Sequence, residues 1–390
     1  MMKTSLIALA CACAALAVPL TEDQTPFIFD HDYQHPDFPG FDLSAKRLVE
    51  MEGQPPVWMS ELEKIQAKAR GIKFFDITDT EHLTAGNRFQ TQASFPAPNA
   101  TEKVWPIIKK LSTEGPEENL RTFTGFRTRY YRSDTGKQSQ QWLKEKIKET
   151  TSKWGSKSLQ DLISVSEFSH SWGQHSVIAR INGSSTSDDA VIIIGAHQDS
   201  TNLWPFLPAP GADDDGSGSV TILESYRALL AADFHPKRAI EFHWYSAEEG
   251  GLLGSQAVAQ SYQQKGVNVL AMSQFDMTAW VKAGTREEVG IITDFVDSGV
   301  TEFNKQLVEL YLDIPWVGTE CGYACSDHAS WAKAGYPSSF TIESSFPNSN
   351  KNIHSLNDRI DVSDEFSFSH MKEFSKLAVA FAVELGSVSK

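Results

Sequence analysis

The chain has 390 residues, 41% of them hydrophobic and 22% charged, an ordinary globular composition with enough apolar material for a large core. Its 35 basic and 50 acidic residues leave a net charge of −15, which excludes a nucleic-acid binder, because that function needs a basic face for phosphates. Outside the N-terminus no apolar run is long enough to span a bilayer, so no membrane contact is expected.

The first residues have the layout of a secretory signal. Lys3 supplies the positive start, residues 5–16 are almost wholly apolar, and Ala15-Leu16-Ala17 is a small-x-small cleavage site. The protein is therefore expected to be secreted and extracellular, with residues 1–17 removed as signal peptide. Cys11 and Cys13 leave with that segment. Cys321 and Cys325 remain, an even pair in an oxidising compartment, compatible with a small disulfide loop or with two buried thiols. Two sequons, at Asn99 and Asn182, are candidate glycosylation sites and agree with secretion.

Residues 18–87 are acidic and Pro-rich between Phe27 and Phe41, then carry one amphipathic stretch, Trp58 to Ile72. Nothing in them resembles a series of strands. A propeptide fits this stretch better than a catalytic domain, the alternative being an ordinary N-terminal subdomain that stays attached; 88–390 is then the catalytic domain. From about residue 120 the pattern alternates. Helical character at 134–150 is followed by apolar runs at Leu162–Val165, Val177–Ile181, Val191–Gly195, Ala239–Tyr245, Val269–Phe275, Gly290–Ile292 and Ser339–Ile342. Helical stretches fall at 217–232, 252–265, 300–312, 327–334 and 368–385. Several of the runs are continuously apolar, which marks strands buried on both faces. The fold class expected is α/β: a single domain with a mostly parallel central sheet sandwiched by helices. In such folds the chemistry sits beyond the carboxyl ends of the strands.

Those strand exits are rich in metal-binding side chains. Val191–Gly195 runs into His197, with Asp199 two residues on, able to accept the other ring N–H and fix the tautomer. Asp213, Asp214 and Asp215, flanked by glycines, open a helix, and three adjacent carboxylates repel one another unless a cation offsets them. Ala239–Tyr245 leads into Glu248 and Glu249, of which one could ligate while the other stays free as a base. Val269–Phe275 ends in Asp276, a carboxylate that must be paired or metal-bound if buried. His354 follows a loop rich in Asn and Ser. Imidazole and carboxylate without thiolate suit zinc, manganese or cobalt in a catalytic site. Five ligands exceed one open tetrahedral zinc and fit two metals sharing a carboxylate.

In this order the motifs His-x-Asp, Pro-Gly-Ala-Asp-Asp-Asp-x-Ser-Gly, Ala-Glu-Glu-x-Gly, Asp-Met and Ile-His resemble the secreted fungal leucine aminopeptidases of the co-catalytic two-zinc aminopeptidase family. The run Cys321 to Trp331 shares the likeness, which covers roughly 120–390. The resemblance implies two Zn2+ per chain. It implies Asp214 as the bridging carboxylate, His197 and Asp276 on one zinc, and Glu249 and His354 on the other. Glu248 would be the general base, and Cys321 and Cys325 a disulfide beside the substrate pocket. Met277, Tyr323, Phe346 and Ile353 align with pocket positions and favour a Leu-like first residue. His328, Asp213 and Asp215 stay structural.

The activity implied is removal of the N-terminal residue from peptides with a free N-terminus, one zinc polarising the carbonyl and the other binding the α-amine. A monomer is expected, with the protein's own propeptide as inhibitor or folding aid. A secreted glutaminyl cyclase would need only one zinc, a carboxypeptidase would need a basic group for the substrate carboxylate, and a binding ectodomain would have lost ligands. The intact set argues against the cyclase and the binding ectodomain, and no arginine near the motifs is identifiable for a carboxypeptidase.

Overall fold

The computed structural model describes residues 33–85 and 93–387. The expected signal peptide, Cys11, Cys13 and the junction at 87–88 lie outside the described residues.

Residues 33–85 contain β1 (Lys46–Glu50), β2 (Val57–Ser60), α1 (Glu61–Ala69) and β3 (Phe75–Asp76). The three strands form an antiparallel sheet in the order β2-β1-β3, where the sequence suggested no strands at all. The strands are too short for alternation to register: β3 has two residues and β2 only four. Helix α1 falls inside the amphipathic stretch and starts at a capping box. The Glu63 N–H donates to Ser60 Oγ at 3.2 Å, and the Ser60 N–H donates to Glu63 Oε2 at 2.6 Å.

In residues 93–387, α2 (Thr101–Ile108), α3 (Glu114–Phe123), α4 (Asp134–Trp154) and α5 (Lys157–Gln160) come first. They are followed by β4 (Ile163–Phe168), β5 (Ser176–Ile181), β6 (Val191–His197), α6 (Gly218–Ala231), β7 (Ala239–Tyr245) and α7 (Leu253–Lys265). The remainder is β8 (Val269–Phe275), β9 (Val289–Ile292), α8 (Ser298–Tyr311), β10 (Trp316–Thr319), α9 (His328–Lys333), β11 (Ser338–Ile342) and α10 (Phe368–Gly386). Eight strands make one sheet in the order β10-β9-β11-β8-β6-β7-β5-β4. The centre, β11-β8-β6-β7, is parallel, and so is the β9–β10 edge pair. The β9–β11, β5–β7 and β4–β5 pairs are antiparallel.

The mostly parallel sheet expected from the sequence is therefore the one observed. Every residue of β6 and of β7 is buried, because helices cover both faces. On one face Ile192, Ile194, Phe242 and Trp244 pack with Ile222 and Leu229 of α6 and with Leu377 and Phe381 of α10. On the other, Ile193, Tyr245 and Met272 pack with Val258 of α7 and Trp331 of α9. Two polar residues of β7 are buried only because they are paired. Glu241 Oε2 lies 2.8 Å from His243 Nε2 and accepts the Tyr262 hydroxyl at 2.6 Å. Burial opposes the charge of Glu241, but these partners and Arg180 hold its carboxyl down at about 2.

Candidate metal centre

The parallel register brings three strand exits to one level. His197 ends β6 opposite Tyr245, the last residue of β7, and Gly195 stands opposite Gln274 of β8. Asp276 follows β8 directly, and the turn carrying Glu248 and Glu249 leaves β7. The aspartate triplet occupies the turn Ala212–Ser217, whose backbone leaves the helical region at Asp214 and Asp215 before feeding α6. A Cβ on Gly218 would strike both the Asp215 carboxylate and the Phe275 carbonyl oxygen, so this helix start can press against the end of β8 only with glycine there.

Asp214 stands between two histidines. Its Oδ1 is 3.1 Å from His197 Nε2, and its Oδ2 is 3.0 Å from His354 Nε2. His197 Nε2 is also 3.6 Å from Asp276 Oδ1, and His354 Nε2 is 3.2 Å from Glu249 Oε2. The structure thus brings His197, Asp214, Glu249, Asp276 and His354 together as two clusters that meet at one carboxylate. Asp215 also lies near His197 and Asp276. Its oxygens are already engaged, however: Oδ2 accepts the His197 N–H at 3.0 Å, and Oδ1 accepts the Gly218 and Met277 N–H groups at 2.9 and 3.1 Å. Asp214 is the member of the triplet that faces both imidazoles.

The electrostatics have the character of a cation site. Burial opposes the charge on Asp214, yet the two imidazoles hold its carboxyl well below the usual carboxylate range. Burial lifts Asp276 above its ordinary value, with His197 opposing and Asp214 adding. Glu249 is held at about 2 against burial, by His354 and by Lys68. Two buried atoms here, His197 Nε2 and Glu249 Oε1, make no hydrogen bond. A donor set of imidazoles and carboxylates with orphaned, inward-facing atoms fits borderline divalent metals, zinc among them.

Asp199 works on the site through more than one atom. Its carboxylate stands 3.5 Å from His197 Nδ1, while its own carbonyl oxygen is nearer at 3.1 Å. The carboxylate accepts the N–H groups of Glu248 at 3.1 Å and Glu249 at 3.2 Å, so it fixes the turn that carries both glutamates. Burial raises the Glu248 carboxyl well above the usual range. His197 opposes that shift, Glu249 adds to it and Lys68 opposes it.

Several contributors have no signature in the sequence. Asp358 accepts the N–H of Asp213 at 2.9 Å and of Asp214 at 3.1 Å. Ser326 donates to Asp276 Oδ2 at 2.6 Å, so the run after the cysteines reaches the metal cluster. Arg129 is fully buried; it donates to the carbonyls of Gln198 and Gly211 at 2.8 Å each and to that of Pro210. It thereby ties the loop after β6 to the aspartate turn. Burial pulls its guanidinium down to about 10, which still leaves it charged at neutral pH.

Beside the clusters, Met277 and Ile342 pack with Cys321, Cys325, Phe346 and Ile353. Tyr323 meets Phe346 edge-on, with centroids 6.4 Å apart. The four expected pocket residues therefore share one apolar wall, and Cys321 and Cys325 are disulfide-bonded. His328 is buried and stacks on Phe340, with ring centroids 5.0 Å apart, and it belongs to neither ligand group. Both of its ring nitrogens lack hydrogen bonds, and burial brings it down to about 3, in keeping with a structural role. Asn99 and Asn182 are both exposed.

The sequence profile of peptidase family M28 matches residues 176–379, from β5 into α10. The chain is 46% identical to Leucine aminopeptidase 1 of Phaeosphaeria nodorum over 98% of both chains. It is 45% identical to Leucine aminopeptidase 1 of Trichoderma harzianum, over 98% of this chain and 95% of that one. Among solved structures, the LapA aminopeptidase of Legionella pneumophila aligns with a TM-score of 0.77 at 29% identity, over 88% of this chain and 99% of that one. With the profile covering the strands that bear the two clusters and the relatives aligned end to end, the chain belongs to peptidase family M28.

Proposed function

We propose that the protein is a secreted aminopeptidase that removes the N-terminal residue, preferably leucine or another apolar one, from peptides with a free N-terminus, using two zinc ions per chain. The observation that carries this reading is Asp214, one carboxylate facing His197 through Oδ1 and His354 through Oδ2. His197 and Asp276 complete one ligand group, and Glu249 and His354 the other. Zinc held there supplies polarisation of the scissile carbonyl and acidification of the attacking water.

The chain's own residues divide the remaining work. Glu249 is committed to His354 at 3.2 Å, which leaves its neighbour Glu248 to take the proton of the attacking water and return it to the leaving amine. Asp199 fixes the backbone of both, so the base is held on the turn that carries the ligand. A free, neutral α-amine would offer its lone pair to a metal held in this cleft, but the lone pair of an acylated nitrogen is delocalised into the amide, so a blocked N-terminus would be discriminated against. Met277, Tyr323, Phe346 and Ile353 form the apolar wall for the first side chain.

In this reading residues 1–17 are signal peptide, 18–87 propeptide and 88–390 the catalytic domain. Asn99 and Asn182 carry glycans, and the enzyme acts as a monomer. The names of the fungal relatives support leucine as the preferred residue.

The test is a leucine arylamide and its N-acetylated twin, assayed on processed protein with and without chelator. Cleavage of the free-amine substrate alone, lost with chelator and restored by zinc, is the expected result. Equal cleavage of the acetylated twin would remove the aminopeptidase reading.

A further inference from the structure

Helix α1 of the N-terminal segment presents Lys64 and Lys68, four residues apart and so on one face, to the turn Glu248–Gly251. Lys68 donates to the Glu249 carbonyl oxygen at 2.8 Å and makes an ion pair with Glu249 Oε2. That oxygen is the one lying 3.2 Å from His354 Nε2, whose own ring nitrogen is 3.0 Å from Asp214 Oδ2. An ammonium therefore sits on a ligand atom of the group formed by Asp214, Glu249 and His354.

The helix is locked in this place. Lys64 Nζ donates to Asp76 at 2.9 Å and to the Gly250 carbonyl at 3.2 Å, and it pairs with Glu61 at 2.8 Å. The Asp76 N–H donates to the Gly251 carbonyl at 3.0 Å, and Gln256 Nε2 ties the carbonyls of Asp76 and Gly251 together at 3.1 and 2.9 Å. Gly251 has φ +101°, and a Cβ there would come within 2.8 Å of the Asp76 nitrogen, so only glycine admits this close approach. Leu62 and Ile65 are buried with Tyr131, Ala247 and Leu253. From the same segment Lys73 Nζ lies 4.7 Å from the centre of the Tyr323 ring, over the apolar wall.

We propose that Lys68 is a charge placeholder: while the segment is attached, its ammonium occupies the cation position of Asp214, Glu249 and His354 and keeps that position closed to its metal ion. The inference rests on the two-metal reading above. Folding gathers Asp214, Glu248, Glu249 and Asp276 into one cleft, and a cation must offset their repulsion. Lys68 supplies one from within the chain. Two positive charges a few ångströms apart in a buried site repel each other strongly, so the ammonium on Glu249 and a metal ion compete for this position. Departure of the segment opens the second position and uncovers the pocket together.

The experiment is zinc content, measured by elemental analysis after gel filtration from excess zinc. It is run on the full chain, on full-chain Lys68→Met and Lys68→Gln, and on the chain with the segment removed. Methionine keeps the length of the side chain without its charge, glutamine serves if methionine impairs folding, and near-ultraviolet circular dichroism checks both. The expected contents are one zinc for the full chain and two for the variants and the segment-free chain. Two zinc ions in the unmodified full chain, bound as tightly as in the variants, would overturn the placeholder while leaving the two-metal reading intact. Fewer than two in the segment-free chain would overturn both.

Discussion

At the scale of single residues, Asp214 and Glu248 make opposite predictions. Asp214 serves both clusters, so Asp214→Asn should lose both zinc ions, whereas Glu249→Gln should lose only the one shared with His354. Glu248 lies outside both ligand groups. Glu248→Gln should keep its zinc and lower kcat by roughly 10²–10⁴-fold, the usual contribution of a positioned acid–base group. Elemental analysis beside steady-state kinetics checks the contrast, and zinc loss in Glu248→Gln would reassign it as a ligand. His197, Glu248, Glu249 and Asp276 stood out in the sequence because each lies a few residues past an apolar run, Asp214 because it is the middle of a carboxylate triplet, and His354 only through the motif order shared with the aminopeptidases. Arg129 and Asp358 were not. They act on backbone groups 69 and 145 residues away, and a residue that binds carbonyls and amides leaves no pattern in side-chain types. Asp199 was legible only in part: its proximity to His197 followed from spacing, while its grip on the glutamate turn required the fold.

At the scale of elements, the α/β alternation was readable because the central strands are covered on both sides and so became unbroken apolar runs. The predicted β7, Ala239–Tyr245, matches the observed strand end to end despite Glu241 and His243 inside it. The edge strand β10 was missed. Its four residues are mostly half-exposed and include Gly318, so it carries neither a run nor an alternation. Helix α2 was hidden by Pro106 and α3 by Gly115 and Pro116, although both bury an apolar stripe. The opposite case is α10, whose residues from Met371 to Gly386 are nearly all buried because it lies across α6 and α8 under the sheet. Phe374 is fully buried there. Phe374→Ala should lower unfolding stability by about 3–5 kcal/mol through lost burial and a residual cavity. Denaturant titration of the segment-free chain reads this directly; a change under about 1 kcal/mol would mean that the helix layer closes over the gap.

At the scale of the whole molecule, the N-terminal segment is held to the rest of the chain by one apolar and one polar contact. Its apolar contact is a cluster in which Phe38, Phe41, Leu43, Leu62 and Ile65 meet Tyr130, Tyr131, Trp204 and Phe206. Its polar contact is a buried charge network. Asp76 pairs with Arg47 at 2.7 Å and Lys64 at 2.9 Å and accepts the Thr78 hydroxyl at 2.6 Å. Burial pushes the Asp76 carboxyl up, but Lys64 and Arg47 outweigh it and hold it at about 2. The folded-state value is depressed, so this stability is fully present above the ordinary aspartate range and fades as pH falls from about 4 toward about 2. A shift of that size corresponds to roughly 2 kcal/mol. Protonated Asp76 would also leave Lys64 and Arg47 buried with a diminished counter-charge, which weakens the same interface. Glu241 in β7 is held down over the same range, but its strand is covered on both faces, so acid should loosen the segment before it unfolds the sheet. Hydrogen exchange at a series of pH values between 5 and 2 should show β1, β3 and α1 losing protection while β6, β7 and β8 keep theirs. Asp76→Asn should loosen the segment already at neutral pH and flatten its acid response. Simultaneous loss of protection in the segment and the central strands would show that Asp76 does not set the order of release.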